Sequence, residues 1–225
     1  MDFALIFENW PLFARGLWVT ISMVSISLAL GALLAIPLAL VQAYRVPVLG
    51  RVAAIYCYVF RGTPLLVQVY ILYYGLAQFQ SIRNSVLWLL LGNAYSCAVI
   101  GFTLNSAAYG AEIYRGALVN LDKGEIEAAS AYGMTRAQVI RLIALPQAFR
   151  FSLPAYSNEV IFLLHASVVA STITIVDILG AGRKLNSTYY VVYEGFLTAA
   201  VLYMAVVLFI TLVFRNAERK FLAFR

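Results

Sequence analysis

Apolar stretches separated by short polar ones run the whole length of the chain, and five of them are long enough to cross a bilayer. A helix needs about 20 mostly apolar residues to span roughly 30 Å of hydrocarbon. The first run extends from about Leu17 to Val41; its one proline, Pro37, is tolerated where neighbouring helices re-satisfy the backbone. The second runs from Val52 to Phe79 and is interrupted by Arg61-Gly62-Thr63-Pro64. The third spans Val86 to Tyr114, the fourth Leu153 to Val176 and the fifth Tyr193 to Phe214. Ahead of them Phe3 to Phe13 is short, aromatic and weakly amphipathic, which predicts an interfacial segment. The pattern predicts an all-α, polytopic integral membrane protein of about five transmembrane helices, forming a single domain over residues 1–225. The first run has no basic leader and is longer than the apolar part of a signal peptide, about 7–15 residues, so it is expected to remain as a membrane helix.

Composition strengthens this reading. The 225 residues are 63% hydrophobic and 12% charged, whereas a soluble domain is about 45–50% apolar and about 25% charged. The excess apolar surface must face lipid. The net charge of +6 does not point to nucleic acid, because the basic residues sit in the gaps between apolar runs and form no patch among aromatics. With five crossings, one side holds Arg45, Arg51, Arg115, Lys123, Arg136, Arg141, Arg150, Arg215, Arg219, Lys220 and Arg225. The other holds Arg15, Arg83, Arg183 and Lys184. The basic excess marks the cytoplasmic side, which puts the N-terminus outside and the C-terminus inside. Cys57 and Cys97 lie within apolar runs without metal-ligand spacing and read as small buried side chains.

The long polar stretch of about 115–150 is then cytoplasmic, and its local chemistry predicts two short helices. Asp122 stands three residues before Glu125, and Thr135 three before Gln138, each pair matching a capping box. Gly133 lies between them, where a left-handed helix ending is cheap. Pro146 is expected to stop the second helix and turn the chain toward the fourth crossing. Ala128, Ala129 and Ala131 would let another surface approach closely. On these residues alone the hairpin is either a docking element or an amphipathic pair lying on the headgroups.

The order Glu127-Ala128-Ala129, then Gly133, then Ile143-x-Leu145-Pro146 resembles the signature loop of ABC importer permeases. In that family the loop carries a helix that fits a groove on a cytoplasmic ATPase. The resemblance therefore implies a coupling role for Glu125, Glu127, Ala128, Ala129, Gly133, Ile143, Leu145 and Pro146. Arg61-Gly62-Thr63-Pro64-Leu65-Leu66-Val67-Gln68 is similar to the second-helix segment of polar amino-acid permeases, and Asn105 to Arg115 to their third helix. Leu153-Pro-Ala-Tyr-Ser-Asn158-Glu159-Val resembles the membrane subunits for histidine, lysine, arginine and opines such as octopine and nopaline. The likeness covers essentially the whole chain. It implies a type I importer fold, a second permease subunit (a heterodimer in this subfamily), an ATPase dimer that binds ATP and Mg, and an extracytoplasmic substrate-binding protein in a bacterial inner membrane. No cofactor is expected in this chain, which has no G-x-x-x-x-G-K-[ST] loop and is read as a transport subunit, not an enzyme.

Ionisable groups inside a bilayer are costly, so they face a partner or a pathway. Glu159, with Asn158, is the main substrate-path candidate: its carboxylate suits a cationic side chain or an α-ammonium group, the other reading being a structural hydrogen bond. Thr63, Asn105 and Tyr109 add uncharged donors and acceptors. Glu112 is expected to pair with Arg115. Arg61 and His165 are read as structural, Arg61 by snorkelling or by meeting a carboxylate, His165 by hydrogen bonding. The segment from Asp177 to Tyr190 reads as an outward loop, touching the binding protein or simply solvated. A secondary amino-acid transporter driven by an ion gradient is the rival function, but it would need its own ion site and usually paired repeats, and no repeat is detectable. A membrane enzyme would need a catalytic constellation, which the scattered acids and one histidine do not supply.

Overall fold

The computed structural model describes residues 3–222, and every regular element among them is helical. In chain order these are α1 (Phe3–Glu8), α2 (Trp10–Ala43), α3 (Leu49–Gly62), α4 (Leu65–Tyr70), α5 (Gln80–Arg83), α6 (Trp88–Leu91), α7 (Ala94–Val119), α8 (Lys123–Ala131), α9 (Arg136–Val139), α10 (Leu145–Ala166), α11 (Ile178–Tyr189) and α12 (Val192–Leu222). Three rods are long and apolar enough to cross a membrane: α2, the continuous stretch Arg136–Ile173, and α12. The pair α3–α4, with its extension to Gln78, qualifies as one span bent by 101°.

The third apolar run of the sequence forms α7, which is less apolar than these but whose 26 residues reach about 39 Å at 1.5 Å per residue, enough to cross. It is the central helix, buried against α2, α3, α4 and α10. Because protein surrounds it, α7 can carry glycine, alanine, serine and asparagine where a lipid-facing helix would need bulky apolar residues. Its tightest neighbour is α2, which presents Ser27, Gly31, Ala35 and Ala39 along a buried stripe, while Gly16 and Thr20 further up α2 meet Asp177 and Ile178 at the start of α11. A Cβ built on Gly31 would stand 3.1 Å from Ser106 Cβ, and one on Gly110 3.1 Å from Ala35 Cβ. Small residues at such crossings let backbones approach and gain dispersion contacts, which drive packing inside lipid.

Several sequence expectations change here. The third crossing begins at Ala94 rather than Val86. Val86–Gly92 forms a turn and α6 instead, and Asn93 Oδ1 caps α7 by accepting from Tyr95 N at 2.8 Å. Only Phe3–Glu8 stands apart as a short N-terminal helix, because Pro11 already occupies the first turn of α2, where its missing N–H is harmless. The last crossing continues past Phe214 to Leu222; Arg225 lies outside the described residues. Pro146 does not stop a helix. Widening of the turn at Ile140–Ala144 into a π-helix absorbs the clash that its ring would make one turn back, so α9 and α10 join into one rod.

The expected outward loop after Asp177 is also a helix. Asp177 is fully buried, caps α11 through Gly180 N at 2.7 Å and accepts a hydrogen bond from Tyr203 of α12 at 3.3 Å. Gly180, Ala181, Gly182 and Leu185 are buried against α2 and α12, leaving Arg183 and Lys184 exposed. The polar letters of this segment belong to one helix face; the other face packs.

Candidate functional site

The break between α3 and α4 builds one wall of a cavity of about 750 Å³. Proline disfavours the helical conformation of the residue before it, and Thr63 is extended at φ −112°, ψ 140°. The α3 carbonyls freed by the break find new donors. Gln68 Nε2 donates to Phe60 O at 2.8 Å, to Thr63 O at 3.0 Å and to Thr63 Oγ1 at 2.8 Å. Asn105 Nδ2, from α7, donates to Phe60 O and to Gln68 Oε1, both at 3.2 Å.

Opposite this wall stands α10, so the lining joins Arg61, Thr63, Asn105 and Tyr109 to Asn158, Glu159 and Phe162. All five substrate-path candidates therefore meet at one cavity. Their chemistry differs, however. Thr63 and Asn105 are engaged in holding the break, and Tyr109 donates its hydroxyl to Arg61 O at 3.4 Å. Glu159 is 6% exposed and forms no hydrogen bond or ion pair among the described residues. Asn158 is exposed and likewise unengaged among them. Phe162, 67% exposed, borders the cavity where α10 is uncovered, so this chain encloses it on one side only.

Arg61, expected to be structural by snorkelling or by meeting a carboxylate, meets a carboxylate and also belongs to the cavity lining. Its guanidinium lines the cavity, lies 5.4 Å from the centroid of the Tyr109 ring and pairs with Glu112 Oε2 at 3.3 Å. Glu112 also pairs with Arg115 as expected, Nε to Oε1 at 3.0 Å and Nη2 to Oε2 at 2.9 Å. The signal available was a single arginine beside a helix break, with one carboxylate in the next crossing. His165 is exposed and outside the cavity lining, and its side chain makes no hydrogen bond among the described residues, contrary to the structural bond expected of it. Its place on α10 turns it away from the packed core.

The second candidate region is the α8–α9 hairpin. Asp122 Oδ1 caps α8 through Gly124 N at 2.9 Å, and Thr135 with Gln138 forms the reciprocal capping box. Glu125 does not complete the first box; it accepts from Gln147 Nε2 and so ties α8 to α10. Between the helices Gly133 has φ +80°, with Met134 N bonded to Ala129 O at 3.2 Å and Gly133 N to Ser130 O at 3.0 Å. This is the Schellman helix ending, for which glycine is the favoured residue. Ala129 points inward, 6% exposed, and Ile126 packs against the buried cluster that includes Tyr114, Leu118 and Leu121. Glu127, Ala128, Ala131 and Tyr132 face outward, Tyr132 at 91% exposure. Ile143 and Leu145 are half-buried at the junction with α10, and Pro146 is exposed.

A helical bundle with three to four apolar spans among the described residues, packed around the central α7 and a polar cavity and carrying an exposed helix hairpin, defines a membrane transport subunit. Residues 12–222 match the family described as binding-protein-dependent transport system inner membrane component, and the chain belongs to that family. It is 45% identical to the octopine transport system permease protein OccM of Rhizobium radiobacter over 90% of this chain and 83% of that protein. It is 39% identical to the histidine/lysine/arginine/ornithine transport system permease protein HisM of Salmonella typhimurium, over 93% and 88% of the two chains. A crystal structure of an amino acid ABC transporter with histidines superposes with a TM-score of 0.86 at 32% identity, covering 98% of this chain and 99% of that one. Members of the family are permease subunits rather than enzymes, with the ATPase a separate partner. Nothing in these relationships supports the ion-gradient transporter.

Proposed function

We propose that this chain forms half of the translocation pore of an ABC importer for cationic amino acids or arginine-derived opines. The observation that carries the substrate class is Glu159, a buried carboxylate that faces a cavity and makes no side-chain hydrogen bond or ion pair among the described residues, Arg61 acting on it only at longer range. A charge held in that state is costly unless a cation arrives to pair with it. An ammonium or guanidinium group meets that need. Arg61, on the facing wall, offers a carboxylate of the same substrate a counter-charge, and Asn158 adds an uncommitted amide. The names of the octopine and histidine/lysine/arginine/ornithine relatives agree with this chemistry.

The open side of the cavity suits closure by a second permease subunit, a heterodimer by the subfamily resemblance. The basic excess supports a cytoplasmic α8–α9 end and an extracytoplasmic N-terminus. In that orientation Glu127, Ala128, Ala131, Tyr132 and Gly133 form the outward face of a coupling hairpin that docks on the ATPase, and Ala129 with Ile126 anchors it to the bundle. Residues 1–225 act as one transmembrane domain, and ATP and Mg²⁺ belong to the partner ATPase. Closure of the ATPase dimer then moves the paired hairpins and opens the cavity outward to a loaded binding protein. Substrate drives such a cycle only through its different affinity for the two states.

Uptake by the reconstituted complex with its binding protein tests the substrate class. Arginine or octopine is expected to be transported and citrulline, the neutral isostere of arginine, to be excluded from the permease step. Equal transport of citrulline and arginine, with equal loading of the binding protein, would remove the cation from the mechanism.

A further inference from the structure

A second cavity of about 630 Å³ opens where the α2–α3 turn meets α7 and is lined by Gln42, Arg45, Pro47, Arg51, Glu112 and Arg115, among others. Three guanidinium groups face one carboxylate there. That carboxylate, Glu112, is already held by Arg115 at 2.9 Å and, from the side of the substrate cavity, by Arg61 at 3.3 Å. Arg45 and Arg51 have no ion-pair partner among the described residues, so the cleft carries positive charge that the protein leaves unneutralised.

The backbone of the turn adds a second observation. Arg45 ends α2 at φ +51°, with Val46 N bonded to Val41 O at 2.9 Å and Arg45 N to Gln42 O at 3.1 Å. This is the same helix ending that Gly133 makes, but with a long charged side chain in the glycine position. Three residues on, Val48 has φ +64°, which is rarer still for a β-branched side chain. Strained backbone persists where the rest of the structure holds it, and such sites often serve a ligand. Beside the cleft, Val48, Leu49, Val52 and Ile55 leave an exposed apolar strip along the start of α3.

We infer that this cleft binds the phosphate of an anionic phospholipid, whose acyl chains lie along the Val48–Ile55 strip. The assignment rests on the cytoplasmic orientation proposed above, which puts the cleft at the inner leaflet. Guanidinium groups take phosphate oxygens in pairs, and basic pockets between helices on the cytoplasmic side hold anionic headgroups by this chemistry. A phosphate here shares Arg115 with Glu112. Glu112 in turn holds Arg61 at the substrate cavity, so the headgroup and the substrate site bear on one ion-pair chain.

Native mass spectrometry of the complex that co-purifies with this chain, in mixed phosphatidylglycerol and phosphatidylcholine, tests the inference. Wild type is expected to retain phosphatidylglycerol selectively. Arg45→Gly with Arg51→Gln should weaken that retention about thirtyfold, at about 1 kcal/mol for each basic side chain removed. Arg45→Gly also relieves the turn, so the double variant should fold at least as well as wild type. Arg215→Gln with Lys220→Gln, which removes basic charge outside the cleft, should leave retention unchanged. Equal retention in the cleft variant and wild type would reduce these arginines to orientation signals. Displacement of the lipid by millimolar inorganic phosphate would make the ligand a free anion instead. Occupation of the strip by the second permease, seen as protection from lipid crosslinking, would also overturn the assignment. The lipid readout requires neither ATPase nor uptake, so failure of the importer reading would show separately as absence of both.

Discussion

Asn105 and Gln68 meet across the broken second crossing, Nδ2 of the asparagine donating to Oε1 of the glutamine at 3.2 Å. Asn105 belongs to the cavity lining and Gln68 sits behind it, and together they supply donors for the α3 carbonyls freed at the Pro64 break. Replacing Asn105 by Ala leaves Gln68 Oε1 without its donor in a buried place, while Phe60 O keeps its bond from Gln68 Nε2. The expected cost is about 1–3 kcal/mol. Thermal unfolding of the detergent-solubilised complex should show the loss, while KM for substrate in the surviving protein moves little. A large KM change at unchanged stability would instead make Asn105 a substrate contact.

Gly133 separates conformation from space. A Cβ there would meet nothing within 4 Å, yet φ is +80°. Substitution should therefore hurt according to how well each residue bears a left-handed backbone, with Asn tolerated best, Ala less and Val least, over a range of about 1–2 kcal/mol. Retention of the co-purifying ATPase should follow the same order. An order set by side-chain size alone, with Ala better than Asn, would contradict the account.

The hydrogen bond from Gln147 to Glu125 joins the hairpin to the rod that carries Glu159. Gln147→Ala removes a bond to a charged group, worth about 1.5–3 kcal/mol at most and less at an exposed site. Hydrogen exchange over Lys123–Ala131 should speed up severalfold, with little change in α2 or α7. Unaltered exchange would show that Ala129 and Ile126 alone fix the hairpin.

The α11–α12 crossing is held by two glycines. A Cβ on Gly182 would lie 2.8 Å from Gly195 O, a backbone atom that cannot swing away. Gly182→Ala should lower the unfolding temperature measurably, whereas Gly62→Ala, with nothing within 4 Å of the new carbon, should not. Equal effects of the two substitutions would mean the crossing is looser than the structure shows.

Much of this architecture was legible in the sequence because the bilayer imposes a simple rule. Apolar runs of sufficient length marked the crossings, and the polar residues inside them, Thr63, Asn105, Tyr109, Asn158 and Glu159, were brought together at one cavity because lipid excludes them. What the sequence could not tell is which of them remain uncommitted. Thr63 and Asn105 are engaged by Gln68 and Phe60 O, partners set only by the tertiary fold. Arg61 was read as structural because its neighbours across the bundle, Glu112 and Tyr109, lie about fifty residues away. Pro146 and the Asp177–Tyr190 segment misled for a local reason. A π-turn can absorb a proline, and a helix half-buried on two neighbours can carry as many polar letters as a loop. Gly133 and the Thr135–Gln138 box were legible because capping chemistry is local.

The central claim is that the carboxylate of Glu159, free of hydrogen bonds and ion pairs among the described residues, recognises a cation in the pore, and uptake kinetics of Glu159→Gln test it most directly. With the complex assembled at wild-type levels and the binding protein saturated, arginine uptake should fall by at least about tenfold, the loss of one charge-assisted interaction of about 1.5–3 kcal/mol. Transport indistinguishable from wild type, with the ATPase still coupled, would contradict the account and leave Glu159 as a buried structural group.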